Sequence, residues 1–437
     1  MLIFQRKEMI FLKDTAYKVK IGRLMYIFEA AIEYLISILV TGSFLATVTK
    51  ELGISDSLTG IVSSVISLGC LFQLMSIVLR RKTVKKIVIV LSIANQLLFM
   101  LLYLIPLLNF SQNIKIGLFL ILIFSAYLIY NFAHPKKINW LMSLVDNSER
   151  GKFTANKEII SLLAGMVFSF SMGAITDRFA EMGKIKIAFG ISAAVIFILM
   201  LLHTFSMVFT VEKEIPYSEK ASIKQNLKNL SENKNIIKVT VVFVIYYIAH
   251  YACIPFYGTY QINELGFSLK YVSLISILGS ITRVLVSDFW GRYADKKSFA
   301  NMVEKCFLFL GISYISVIFA VPSNGKIMFL FYTVFHGIAM GGINSALTNM
   351  IFDYVPYEKR ADSLAICQAT AGTVGFLTTV IISPLISLIQ SNNNMFLRVN
   401  IYAQQIVSVI GLAFVLIAII FVRKFIINHL NNDKGDA

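Results

Sequence analysis

The chain has 437 residues, 57% of them hydrophobic and only 15% charged, with a formal net charge of +16 at pH 7. A soluble domain usually carries about a quarter charged residues, so this composition excludes a water-soluble enzyme and a disordered chain. It also speaks against a nucleic-acid partner, because the excess Lys and Arg lie between apolar runs, as basic residues do in cytoplasmic membrane loops. The cysteines (Cys70, Cys253, Cys306 and Cys367) are far apart, inside apolar runs and without a C-x-x-C pair. Neither a disulfide framework, a metal site nor a cofactor is expected from them.

A membrane helix needs about 20 mostly apolar residues. Such runs fall at 24–48, 56–79, 87–108, 115–144, 155–177 and 187–210, then at 237–261, 267–290, 299–321, 326–351, 362–388 and 398–422. They must be helices, since an open strand edge cannot stand in lipid. The fold class read from this pattern is an all-α integral membrane protein with twelve transmembrane helices. No small-residue cleavage site follows the first run, so it is expected to remain as a span. Lys and Arg favour the segments that a cytoplasmic N-terminus places inside by more than three to one, so both termini are expected in the cytoplasm. The polar stretch 211–236 is read as a cytoplasmic linker between halves 1–210 and 237–437. Within it, Ala221–Leu230 alternates apolar and basic residues at helical spacing, the pattern of a short surface helix.

The two halves repeat. Glu51-Leu52-Gly53-Ile54-Ser55 opens span two and Glu264-Leu265-Gly266-Phe267-Ser268 opens span eight. Gly69 matches Gly279. Ser148-Glu149-Arg150-Gly151 after span four matches Tyr357-Glu358-Lys359-Arg360-Ala361 after span ten, and Gly165 and Gly375 each follow fifteen residues past their arginine. Two six-helix halves of like orientation are the plan of parallel-repeat transporters.

Gly291-Arg292-Tyr293-Ala294-Asp295-Lys296 after span eight fits the first part of the loop signature G-x-x-x-D-[RK]. With the six-plus-six plan and the Trp140–Val145, Glu149-Arg150-Gly151 exit of span four, the chain resembles the major facilitator superfamily over nearly its whole length. The resemblance implies two pseudo-symmetric six-helix halves and transport by alternating access. It further implies a gating loop of Gly291, Arg292 and Asp295, with Arg150 and Arg360 in the repeat-related loops. The loop after span two, Arg80–Lys86, has neither the Gly nor the Asp of the signature. Gly173–Arg178 fits the short pattern too, but lies on the outer side by the charge count and is read as a helix end. Span five lacks the glycine-proline pattern of many drug antiporters in the family.

Ionisable residues inside a span are costly and select functional candidates. Glu29 and Glu33 stand four apart on one face of span one. Counting from Arg23, they lie about 9 Å and about 15 Å deep at 1.5 Å per residue. Span four carries Tyr130, Asn131, His134, Lys136 and Lys137, and His134 lies ten residues before the exit at Leu144, matched in depth to Glu33. The expected proton-coupling group is therefore Glu29, Glu33 and His134, with Glu29 paired to Lys136 or Lys137. Tyr246, Tyr247, His250 and Tyr251 on span seven, with His336 and Asn344 on span ten, complete the expected substrate-binding set. Tyr257 and Tyr260 sit near the outer end of span seven, where an interfacial aromatic belt is expected. Gly337, Gly341 and Gly342 have the spacing of close helix packing, and Pro135, Pro255 and Pro384 are candidate kinks.

The leading reading is a secondary transporter of a small polar or amphipathic solute, proton-coupled, monomeric and resident in the plasma membrane among its lipids. A multidrug-type proton antiporter is the nearest alternative. A non-transporting membrane sensor or enzyme is the alternative from another class. Against the last stands the absence of an H-E-x-x-H motif or a clustered Ser/His/Asp set, and no G-x-x-x-x-G-K-[ST] loop supports ATP drive. The topology predicts that single cysteines at Asn113 and Ser391 label from outside intact cells, and that those at Thr83 and Asn226 do not. Outside labelling at Thr83 contradicts the orientation.

Overall fold

Lipid offers no partner to a free backbone N–H or C=O, and the chain is helical over nearly all of its apolar length. The computed structural model describes residues 2–71, 83–146, 149–212, 233–353, 360–396 and 399–428. The helices are α1 (Leu2–Leu39), α2 (Gly42–Glu51), α3 (Asp56–Leu68), α4 (Lys85–Leu104), α5 (Gln112–Met142), α6 (Arg150–Glu181) and α7 (Ile185–Phe209). They continue as α8 (Lys234–Thr259), α9 (Leu269–Lys296), α10 (Phe299–Ile318), α11 (Gly325–Phe352), α12 (Arg360–Ser391) and α13 (Ala403–Val422). A two-residue antiparallel pairing, Met395–Phe396 with Val399–Asn400, joins α12 to α13. Among the described residues ten helices are long and apolar enough to cross a membrane, and the bent pair α1–α2 makes an eleventh. α3 is the described part of the expected second span. Residues 72–82, the Ala221–Leu230 surface helix, Ser148 and Tyr357–Lys359 lie outside the described residues.

The first span is broken where the sequence reading has one continuous run. Its two parts meet at 41° after Leu39, and Gly42 takes φ +53°, a left-handed turn that glycine alone adopts without strain. The carbonyls freed at the end of α1 are capped by phenols: Tyr103 donates to Leu39 O at 2.5 Å and Tyr127 to Val40 O at 3.2 Å. α5, α8 and α12 each continue as one helix through Pro135, Pro255 and Pro384.

The repeated E-L-G-x-S motif has a local cause. Gly53 and Gly266 both sit at φ +64°, the left-handed residue that closes a helix C-terminus. Two residues on, Ser55 caps α3 by accepting from the Leu58 N–H, and Ser268 caps α9 by accepting from the Tyr271 N–H. The second glycine pair is a packing device. A Cβ on Gly165 would lie 2.3 Å from the Tyr34 ring, and one on Gly375 would lie 2.6 Å from the Tyr251 ring. Each half thus seats a tyrosine of its first span on a glycine of its fifth.

Two compact units form, Met1–Val40 with Leu79–Lys220, and Thr41–Val78 with Ala221–Ala437. In the first, α1 packs on α6 and α7, and α4 packs on α5 and α7. The end of the unit at Arg23 and Leu144 is tied by charge. Arg23 donates to Leu144 O at 2.7 Å and pairs with Asp146 and Glu149. Glu212 accepts from the Val84 and Lys85 N–H groups at the start of α4, and Lys85 Nζ returns to Val208 O and Thr210 O at the end of α7. An acid at a helix N-terminus and a base at a helix C-terminus are the favourable pairings with the helix dipole.

In the second unit, α8 lies against α12 and α13, α11 lies against α9 and α10, and α3 packs on α8 and α12. Residues 41–78 group here because of what they hold. Ser43 bonds Gln261 at 2.7 Å, and buried Asp56 accepts from Asn263 at 2.6 Å and Gln390 at 2.9 Å. Ser57 and Ser383 share a hydroxyl contact. A Cβ on Gly60 would collide with the Phe256 ring at 2.0 Å. Because left-handed backbone costs a non-glycine residue about 1–2 kcal/mol, Gly53→Ala and Gly266→Ala should each destabilise the protein by about 1 kcal/mol. Thermal unfolding in detergent measures this, and Gly117→Ala, which meets nothing within 4 Å, should be near neutral.

Candidate functional site

In the first unit three helices bring five ionisable side chains together. α1 supplies Glu29 and Glu33, one turn apart on one face. α5 supplies His134 and Lys137, and α7 supplies His203. The Lys137 ammonium donates to Glu29 Oε1 at 2.6 Å and also makes a very close contact to Glu33 Oε2. His203 Nε2 reaches the same Glu29 oxygen at 2.9 Å, and His134 Nδ1 stands 4.0 Å from Glu33 Oε1, beyond a hydrogen bond. The Tyr130 ring lies over His134, centroids 4.9 Å apart.

The two carboxylates are not equivalent. Glu29 is 1% exposed and Lys137 3%, whereas Glu33 keeps 23% and His134 29%. Glu29 is a sealed acid held by two donors, and Glu33 is an open acid held by one. With both histidines neutral, two carboxylates face one ammonium, and the cluster carries one excess negative charge. Oxygens of Glu29 and Glu33 and a ring nitrogen of His203 lie within 4.8 Å of one another, a spacing open to a metal ion. Lys137 already supplies the cation at both carboxylates.

The depth match between Glu33 and His134 therefore brings those two groups together, and of the two candidate lysines it is Lys137 that pairs with Glu29. Lys136 turns away and lies over the Phe132 ring, 3.6 Å from its centroid. Asn131 is buried and donates back to Tyr127 O within its own helix at 2.8 Å. His203 is not singled out by the sequence reading, although a histidine in an apolar run meets the criterion that selects Glu29.

In the second unit Tyr246, Tyr247, His250 and Tyr251 form a continuous ring cluster on α8. Tyr246 lies 5.6 Å from His250, His250 5.2 Å from Tyr251, and Tyr247 5.5 Å from Tyr251. His336 on α11 stacks on Tyr332 at 5.2 Å. Asn344 is exposed on α11, well along from His336. Tyr257 and Tyr260 are not an interfacial belt: both are buried, with hydroxyls bonded to Ser408 Oγ at 2.8 Å and Ala320 O at 2.6 Å. Arg283, at the centre of α9, is a second ionisable residue that the sequence reading leaves out.

At the C-terminal end of α9 the expected gating loop is exposed. Arg292 pairs with Asp288 one turn earlier, Asp295 is exposed, and a Cβ on Gly291 would meet nothing within 4 Å. Arg150 and Arg360 begin α6 and α12, and their side chains lie outside those described.

Removing one partner of a buried ion pair costs about 3–5 kcal/mol, because the other charge is left behind. Lys137→Met should therefore lower stability by about that much, measured by thermal unfolding in detergent. The double variant Lys137→Met with Glu29→Gln should recover a large part of it. Equal loss in single and double variants would show that Lys137 is held by packing and not by charge.

Comparison with known proteins identifies the family and the fold. The Major Facilitator Superfamily profile matches residues 27–379 and 239–430. Comparison with curated protein sequences gives no significant match. Among solved structures, a point mutant of the nucleoside transporter NupG superposes with a TM-score of 0.70 at 13% identity, covering 92% of this chain and 100% of that one. A D-xylose-proton symporter follows at 0.61 and 14% identity, covering 95% and 98%. A POT family transporter in complex with 5-aminolevulinic acid gives 0.64 at 12% identity, covering 93% and 96%. At these identities the structures show a shared fold. The profile spans most of the sequence, and the chain belongs to the Major Facilitator Superfamily, a family of membrane transporters and not of enzymes.

Proposed function

We propose that this chain is a secondary active transporter that moves a small polar or amphipathic solute by alternating access, coupled to protons through Glu33. The observation that carries the reading is the sharing of Lys137 between a sealed and an open carboxylate. When Glu33 is ionised, the ammonium is divided between two acids and the cluster is net negative. When Glu33 takes a proton, Lys137 and Glu29 balance one another, with His203 as the second donor to Glu29. The cluster is then neutral, which is the favourable charge state in an apolar surrounding. His134, 4.0 Å from Glu33, is the group assigned to pass that proton. Among structures of the same fold, the D-xylose symporter is named as proton-coupled, which supports the reading.

On this reading Tyr130, Asn131, Tyr246, Tyr247, His250, Tyr251, His336 and Asn344 are the polar groups available to the solute, and Gly291, Arg292 and Asp295 with Arg150 and Arg360 form the cytoplasmic gating loops. The halves 1–210 and 237–437, joined by 211–236, are the repeat units. The protein acts as a monomer in the plasma membrane with both termini inside. In proteoliposomes with an imposed pH gradient, Glu33→Gln should abolish pH-driven accumulation and leave solute exchange at equal pH largely intact. Normal accumulation by Glu33→Gln would remove Glu33 as the coupling group.

A further inference from the structure

α1 and α7 run antiparallel, and their register can be counted. A Cβ on Gly22 would lie 3.8 Å from Thr210 Cγ2, and Glu29 meets His203 at 2.9 Å. Seven residues separate the two contacts on either helix, two turns in each case. The face of α7 so presented is polar. His203, Ser206 and Thr210 are all buried, and the hydroxyls of Ser206 and Thr210 donate back to His203 O and Ser206 O. Those two hydroxyls bond within α7, and the His203 ring makes the bond across to α1.

That bond fixes the form of the ring. Glu29 Oε1 is an acceptor that already takes the Lys137 ammonium at 2.6 Å, so His203 Nε2 meets it as an N–H donor. The other nitrogen, Nδ1, is buried and has no hydrogen-bond partner. A charged ring would carry a second N–H there with nothing to accept it, and a buried donor left open is costly. The assignment that fits is a neutral ring with its proton on Nε2. Each neighbouring helix adds few other ionisable groups. α1 adds Tyr26, and Tyr34 seated on Gly165. α5 adds Tyr130, stacked on His134, and Lys136, turned to Phe132. α6 brings Lys157 over the Tyr26 ring at 5.0 Å and exposed Glu158, then no ionisable residue from 159 to 176. α4 has none between Lys86 and Tyr103.

We propose that His203 is a positioning residue that sets the pH at which Glu33 takes its proton, acting through Glu29 and Lys137. Two carboxylates share one ammonium, so each competes for it. The Nε2–H bond is charge-assisted and stabilises ionised Glu29 independently of Lys137. The ammonium is thereby left to serve Glu33 as well. Without that donor Glu29 draws Lys137 to itself, Glu33 loses its cation, and protonation becomes the favourable state of the open acid. The proposal rests on the proton reading of Glu33 and adds what controls it.

The test needs no solute. The purified full-length protein is titrated in metal-free buffer, and the carboxylic C=O stretch is followed by infrared difference spectroscopy. The band that Glu33→Gln removes reports the proton on Glu33. In His203→Phe that band should appear about one pH unit higher, a tenfold gain in proton affinity and less than the full worth of one charge-assisted bond. His203→Gln should restore the original midpoint, because its amide can place an N–H where Nε2 stood and has no proton of its own to titrate. His203→Met gives the same comparison if His203→Phe does not fold. An unmoved midpoint in His203→Phe would overturn the proposal. So would His203→Gln titrating like His203→Phe, which would show that the ring acts by its charge and not as a neutral donor. The two readings fail differently. If no Glu33 band titrates in the unaltered protein, the proton reading falls and takes the proposal with it. If the band titrates but ignores His203, the proposal falls and the proton reading stands.

Discussion

A bilayer core offers no water to an ion, and in the first unit that constraint converges on one ammonium group. Lys137 is 3% exposed and takes two carboxylates from the facing helix. Its position depends on α1, α5 and α7 keeping their register. Two ties maintain it: Arg23 anchors α1 to the end of α5 through Leu144 O, and Trp140 Nε1 donates to Val211 O just past α7 at 2.9 Å. At the other end of α1, Tyr103 and Tyr127 hold its last carbonyls. Clamped at both points, α1 has little freedom to slide.

The repeat shows which features the fold demands and which the chemistry chooses. Gly53 and Gly266, Ser55 and Ser268, and the Tyr34–Gly165 and Tyr251–Gly375 contacts do the same mechanical work in both halves. They close helices, start helices and set interhelical distance, and any six-helix half needs them. The charges do not repeat. The first unit gathers two acids and a lysine within its spans, and the second carries Arg283 at the centre of α9.

Much of this was legible in the sequence because depth in a membrane is a one-dimensional quantity. Counting ten residues in from Arg23 and ten back from Leu144 suffices to match Glu33 with His134. Rotation about the helix axis is not one-dimensional, and that is where the reading stops. Lys136 and Lys137 differ by little in depth but by about 100° around the helix, so only the structure sends one to Glu29 and the other to Phe132. The same limit misplaced Tyr257 and Tyr260. Near a span end a tyrosine reads as an interfacial anchor, yet their partners, Ser408 and Ala320, come from spans remote in sequence. The break at Gly42 was hidden for a different reason, since the apolar run continues unbroken across it and only the backbone turns.

The composition of the cluster argues for a working site over a structural brace. A brace needs one acid for one base, and Glu29 with Lys137 already makes that pair, with His203 completing the shell around the sealed carboxylate. Glu33 adds a second acid to a lysine that is already matched. An acidic residue at the centre of a span costs about 2.5–3.5 kcal/mol, and total protein stability is only about 5–15 kcal/mol. Replacing Glu33 by a neutral residue would relieve that cost without uncovering Glu29. A brace built for stability alone would therefore carry no second acid. Its partial exposure, set against the closure of Glu29 one turn away, leaves the surplus charge on the open side of the cluster.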